Sequence, residues 1–189
     1  MVSQLKVNEI IKQSGSSISI GESGDTLNLS NPTSVTLNST MKNTPAFFAK
    51  LTSDQSISND TETKAALATE ILDSDGKFDT SNYRFTPGVA GNYQFMINIV
   101  GDSQATANLY AVTVKLYKNG SSIAEQVDGV NFNFVDNYPR QAPVSFNVTD
   151  TSDADDYYEV YTAINDTSST PQVFRYGSYF SAFLISTSA

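Results

Sequence analysis

With no His and no Cys, carboxylates are the chemistry this 189-residue chain offers for holding a cation or for acid-base work near neutral pH. Asp150, Asp153, Asp155 and Asp156 fall within seven residues. A loop built that way could hold Ca²⁺, a hard cation that takes about six to eight oxygens from carboxylates, carbonyls and water. The spacing is not that of an EF-hand, and the competing reading is an acidic turn facing solvent. Asp73, Asp75 and Asp79 around Gly76 form a second cluster whose composition suits a turn. The chain has no His, no Cys and no Trp. That excludes a Ser-His-Asp or Cys-His nucleophile, a thiolate or imidazole metal centre, and any disulfide. Glycoside hydrolysis would need two carboxylates facing across a cleft. A small β-sandwich rarely opens one, so the expectation is a protein without enzymatic activity and, calcium aside, without a cofactor.

A second set of residues suits recognition. Tyr138 stands next to Pro139-Arg140, and Arg175-Tyr176 precedes Gly177 and Tyr179, both in turn-rich surroundings. Tyr rings stack on sugar faces and guanidinium groups donate to hydroxyl and carboxylate oxygens, which makes Tyr138, Arg140, Arg175 and Tyr176 candidate ligand-binding residues. The alternative is that the tyrosines fill a core or a contact between subunits.

Charge narrows the partners. The 11 basic and 20 acidic residues give a net charge of −9 and a pI near 4.3, and the basic residues are scattered singly. Phosphate binding runs on clustered Lys and Arg, so nucleic acid is not an expected partner. The longest apolar stretches, such as Phe95 to Val100 broken by Asn98, are far below the ~18 residues of a membrane span, so no membrane insertion is expected. The opening Met1-Val2-Ser3-Gln4-Leu5-Lys6 has no apolar core of the secretory type. Synthesis in a cytoplasm is the expectation.

The elements that would position these residues differ on either side of Pro45. Residues 1–44 contain no aromatic residue, whereas the remainder holds all 10 Tyr and 11 Phe. The first part carries apolar-polar-apolar triplets at Ile18-Ser19-Ile20, Leu27-Asn28-Leu29 and Val35-Thr36-Leu37, separated by turn residues. Each triplet reads as a strandlet with one apolar face. Three strandlets are too few to be stable alone. Several chains must bury their stripes together in a short stalk, or the segment is a Ser/Thr/Asn-rich arm that orders on docking. Leu5, Val7, Ile10 and Ile11 ahead of it could form an anchor.

From Pro45 onward the pattern is all-β. Strands are expected at Ala46 to Leu51, Tyr93 to Val100, Tyr110 to Lys118, Ser122 to Val127, Pro143 to Thr149, Tyr157 to Ile164 and Tyr179 to Thr187. Tyr110, Val112, Val114 and Leu116 share one face by period two, and Asn119-Gly120 supplies the positive φ of a tight hairpin. Val144, Phe146 and Val148 repeat the alternation up to an acidic turn from Asp150 to Asp156. Thr63 to Leu72 is rich in helix formers; the strand expected at Thr69 to Leu72 is what the family resemblance given below implies. Many short strands separated by Gly, Pro, Asn and Asp predict a sandwich or barrel.

Four runs carry a family resemblance: Pro45-Ala46-Phe47-Phe48-Ala49; Phe78-Asp79 followed by Tyr83-Arg84-Phe85-Thr86-Pro87 and Gly91-Asn92-Tyr93-Gln94-Phe95; Leu116-Tyr117-Lys118-Asn119-Gly120; and Phe180-Ser181-Ala182-Phe183-Leu184-Ile185. In order and spacing, residues 45–189 resemble the globular head of the complement q-subcomponent family, whose jelly roll is shared with the tumour necrosis factor superfamily. The chain departs from the family at Ala182, commonly Gly, and at Asp155-Asp156-Tyr157-Tyr158-Glu159-Val160, where Gly-Asp is usual. The resemblance implies an all-β, ten-strand jelly-roll sandwich, a homotrimer, and calcium near the three-fold axis in some members. It divides the chain into residues 1–44, a stalk for attachment and trimerisation, and residues 45–189, the head.

A strandlet stalk leading into such a head also resembles bacteriophage fibres, spikes and head decorations, as does the opening Gln4 to Lys12 with Gly15-Ser16-Ser17-Ile18-Ser19-Ile20. That resemblance implies a structural virion protein, a homotrimeric fibre or spike. It would be assembled in a host cytoplasm and exposed on the particle exterior, joined to other virion proteins through residues 1–44, its head binding a host surface glycan or protein. The alternatives are a capsid decoration or cement protein, or a non-viral lectin-like module.

Overall fold

The computed structural model describes residues 45–104, 109–129, 140–167 and 171–187. The stalk expected at residues 1–44 lies outside them. The described residues form twelve strands: β1 (Ala46–Lys50), β2 (Gln55–Ser56), β3 (Thr63–Lys64), β4 (Thr69–Asp73), β5 (Phe78–Asp79), β6 (Arg84–Phe85), β7 (Gly91–Asp102), β8 (Leu109–Lys118), β9 (Ser121–Gly129), β10 (Gln141–Ser152), β11 (Tyr158–Asp166) and β12 (Gln172–Thr187). Where ten strands were expected, eight of five residues or more carry the sheets, and four two-residue strands tack loops onto them.

The strands make two antiparallel sheets. The first runs β10-β7-β12-β1-β4 with β2 paired to β12; the second runs β5-β6-β11-β8-β9 with β3 paired to β11. β12, the chain's last strand, lies between β7 and β1 at the centre of the first sheet. Its neighbours come from far earlier in the sequence, as a jelly roll requires.

Period-two patterning explains the interior. Tyr93, Phe95, Ile97 and Ile99 of β7 are buried, as are Val112, Val114 and Leu116 of β8 and Phe180 and Ala182 of β12. Phe47 stacks on Phe78 and Phe85 at 4.8 and 4.4 Å and meets Phe180 edge-on at 4.8 Å. Phe95 and Tyr158 continue the cluster across the sheets at 4.3 Å. Close approach also shapes it. A Cβ on Gly101 would run into Val112 Cγ2, so β7 can pass β8 there only without a side chain.

Several expectations are met. Asn119 and Gly120 have φ of 51° and 80° and close a two-residue hairpin between Lys118 and Ser121. Thr69–Asp73 is a strand rather than the end of a helix. Others are corrected. Tyr110 does not share the buried face of β8: the pairing of Asn165 with Ala111 and Asp166 with Leu109 leaves Tyr110 as the extra residue of a bulge, and Leu109 takes the core position instead. β10 continues to Ser152, twelve paired positions along β7, so Asp150 is a strand residue and not part of the turn. Along β12, Phe180 is buried, and Phe183, three residues on, lies on the opposite face of the strand, 42% exposed.

Candidate functional site

The acidic run resolves into ion pairs. Lys118 Nζ lies 3.0 Å from Asp150 Oδ2 and 2.9 Å from Asp156 Oδ2, and donates to the Thr151 carbonyl at 2.6 Å. Tyr158 Oη donates to Asp150 at 2.7 Å, and Asp156 accepts from Asn119 Nδ2 at 2.6 Å and from the Asp153 N–H at 2.8 Å. Burial works against charge on Lys118, but the bonds to Asp156 and Asp150 outweigh it and raise its pKa. Burial likewise opposes the Asp156 charge, and Lys118, the Asp153 N–H and Asn119 outweigh it and lower its pKa. Asp153 and Asp155 are exposed. Among the described residues no group of three or more carboxylates gathers as a metal-binding set. Two of the four aspartates thus clamp a lysine at the base of the β8–β9 hairpin.

The second acidic cluster serves turns. Asp73 Oδ2 accepts from the Phe78 N–H at 2.7 Å, and Asp79 accepts from the N–H groups of Ser81 and Asn82 at 2.8 and 3.1 Å.

Of the expected recognition residues, Tyr138 lies outside the described residues. Arg140 is turned onto the fully buried Asp102, with Nε 2.9 Å from Oδ1 and Nη2 3.2 Å from Oδ2. Its work is to hold that carboxylate. Arg175 and Tyr176 are brought together on an exposed bend where the β12–β7 pairing is interrupted between Phe174 and Tyr179. The guanidinium carbon lies 4.5 Å from the Tyr176 ring centroid, and Nη2 donates to Tyr176 Oη at 2.7 Å. Tyr176 is 63% exposed, and the Arg175 N–H donates to Asp54 Oδ1 at 2.8 Å.

Asp54 belongs to a recess of about 290 Å³ lined by Thr52, Ser53, Asp54, Gln55, Ala66, Ala68 and Tyr83. Gln55 is fixed at both ends of its amide, donating to Lys64 O at 2.9 Å and accepting from Ala66 N–H at 2.8 Å. A second recess, about 270 Å³, lies over Gly76–Asp79, Thr86 and Gly88.

The sheet faces carry two features the sequence did not announce. On the outer face of the first sheet, Leu72, Phe48, Ser181 and Met96 stand side by side across β4, β1, β12 and β7. Tyr179 packs on Phe48 at 5.4 Å, and Phe183 is exposed beside them, with Ile71 and Ile185 bulging out nearby at 56% and 52% exposure. On the outer face of the second sheet, Glu159 is 3% exposed beneath Lys64 and Arg84, each within 2.8 Å of Oε1, while Arg84 stacks over Tyr157 at 3.8 Å. Alternation along β11 places Glu159 on that outer face, but only the folded chain shows which cations cover it.

No protein-family model matches the chain, and no curated protein matches its sequence. Solved structures do match its shape. The globular domain of zebrafish complement 1qA superposes with a TM-score of 0.52 at 15% identity, over 76% of this chain and 99% of that one. Eiger TNF from S. frugiperda gives 0.54 at 7% identity over 77% and 94%, and murine APRIL gives 0.52 at 9% over 75% and 99%. The described residues have the complement 1q and tumour necrosis factor jelly-roll fold. The family-like runs map onto what that fold buries, since Phe47, Phe78, Phe85, Tyr93, Phe95 and Phe180 all lie in its core.

Proposed function

We propose that this chain is a homotrimeric, non-catalytic virion protein of a phage, a short fibre or spike whose residues 1–44 attach it to the particle and whose head binds a host surface. The apolar outer face of the first sheet is the observation that carries the trimer. Exposed Leu72, Phe183 and Ile185, with half-buried Phe48, Met96 and Tyr179, form a contiguous patch of the kind that soluble proteins cover with a partner. The jelly-roll fold is consistent with three copies meeting there. The virion role is supported by the resemblance of the N-terminal strandlets to phage fibre starts. Absence of His and Cys supports a binding rather than a catalytic head. A net charge of −9 favours solubility outside a cell.

Light scattering on the full chain should give the mass of three protomers, and Phe183→Glu, which places a charge on the exposed face without touching the core, should give one. A monomeric full chain would remove the trimeric reading. Antibodies raised against residues 45–189 should label the outside of intact particles, and labelling confined to lysed cell debris would remove the virion role.

A further inference from the structure

The recess bounded by Asp54 and Tyr83 joins two observations made separately, a polar concavity and an exposed Arg-Tyr pair. Its lining gathers two hydroxyl-bearing residues, Thr52 and Ser53, the acidic Asp54 and the aromatic Tyr83 around the small Ala66 and Ala68. The lining is pre-set. Thr52 Oγ1 lies 2.7 Å from Thr69 Oγ1, Gln55 is locked by Lys64 and Ala66, and Asp54 is oriented through Oδ1 by the Arg175 N–H. That last bond brings the backbone of Arg175, which carries the exposed Arg175-Tyr176 pair, against a residue of the recess lining.

Tyr83 is held at φ 53°, a backbone region that bulky residues rarely adopt. The turn that imposes it is fastened by Asp79, which accepts from Ser81, Asn82 and the Asn82 side chain. Glycine or asparagine would suit that conformation better, so a tyrosine there retains its ring against a backbone preference. Rings beside a carboxylate and hydroxyls match a sugar. The apolar face of a pyranose lies against the ring, and its vicinal hydroxyls donate to the carboxylate and exchange bonds with Ser and Thr. The carboxylate and the chain's net negative charge disfavour sialylated or sulfated glycans.

We infer that the Thr52–Gln55, Ala66, Ala68 and Tyr83 recess, extended by Arg175 and Tyr176, is a binding site for one neutral hexose unit of a surface polysaccharide. This rests on the reading of the head as a host-binding module and names its ligand class.

The test is saturation-transfer NMR on the full chain with glucose, galactose, mannose and N-acetylglucosamine at millimolar concentration, beside free N-acetylneuraminic acid. At least one neutral sugar should receive saturation and N-acetylneuraminic acid should not. Tyr83→Gly should abolish the transfer while leaving Tm unchanged or higher, because it relieves the backbone at φ 53°. Asp54→Asn, which keeps the oxygen that accepts from Arg175, should weaken the affinity at least tenfold. Ile123→Ala, on the edge strand β9 that pairs with β8, should leave it intact. No transfer to any neutral sugar, transfer surviving in Tyr83→Gly, or preference for N-acetylneuraminic acid would each overturn the assignment. The mass of the full chain is read independently. A trimer without sugar binding removes this site and keeps the assembly, whereas a monomer that binds through Tyr83 does the reverse.

Discussion

Arg140, with a side chain 53% exposed, donates through Nε to Oδ1 of a fully buried Asp102 at 2.9 Å. The same carboxylate accepts from Gln141 Nε2 and Gln172 Nε2 at 3.1 Å each and from the Gln104 N–H at 2.8 Å. One buried charge thereby ties the end of β7 to the starts of β10 and β12. Burial alone would raise the Asp102 pKa, but the bonds from Arg140, Gln141, Gln104 and Gln172 outweigh it and hold it at about 2.

A carboxylate lowered from its ordinary value contributes stability that is complete above the unfolded pKa and lost as pH falls through the folded one. Asp102 should therefore stabilise the head by roughly 2 kcal/mol at neutral pH, declining from about pH 5 down to pH 2. Denaturant midpoints across that range should fall in the native chain and much less in Asp102→Asn.

Glu159 gives the opposite sign when its partners are removed. Burial opposes its charge, and Lys64 and Arg84 outweigh burial to lower its pKa. Replacing both cations, Lys64→Met with Arg84→Met, leaves a buried carboxylate uncompensated and should cost about 3–5 kcal/mol at pH 7. Stability of that double variant should rise as pH is lowered and the carboxyl protonates, while the native chain weakens over the same interval. Parallel pH profiles for the two proteins would disprove the pairing.

At high pH a tyrosine sets the limit. Burial first, then the nearby Asp75 charge, raises the Tyr93 pKa to about 12, and its hydroxyl donates to the Val89 carbonyl at 2.9 Å. A group raised on folding contributes stability below its unfolded pKa that disappears as pH rises through the folded one, here between about 10 and 12. Spectrophotometric titration should show Tyr93 ionising late, and Tyr93→Phe should resist alkaline unfolding better than the native chain.

Phe47 tests the core. Its ring touches Phe78, Phe85 and Phe180 within 4.8 Å and is 2% exposed. Phe47→Ala removes those contacts and opens a cavity between the sheets, with an expected loss of about 3–5 kcal/mol. Chemical denaturation should show the midpoint shift with little change in slope.

Much of the head was legible along the chain because period-two patterning is local. Residues 93–99 and 112–116 alternate in sequence and alternate in burial, and Asn119-Gly120 forms its hairpin from the φ preferences of those two residues alone. The misreadings came where pairing is non-local. Tyr110 is put out of register by a bulge against β11, and Asp150 is drawn into the ladder by twelve pairs with β7. Neither partner strand is adjacent in sequence.

The candidate site divides the same way. Arg175 and Tyr176 could be singled out because they are neighbours in a turn-rich stretch. Asp54 and Tyr83 could not, since a loop after β1 and a turn before β6 meet only when both sheets have closed. The same holds for Lys118 with Asp156 and Arg140 with Asp102, separated by 38 positions each. By itself the sequence determined the chemistry available, the strand positions and the family-like core, because composition and alternation need no knowledge of neighbours. Tertiary structure decided which charges neutralise one another, which apolar face is left outward and where a concavity forms. Those outcomes depend on strands that pair far along the chain, from Gln141 with Asp102 to Ala46 with Phe183.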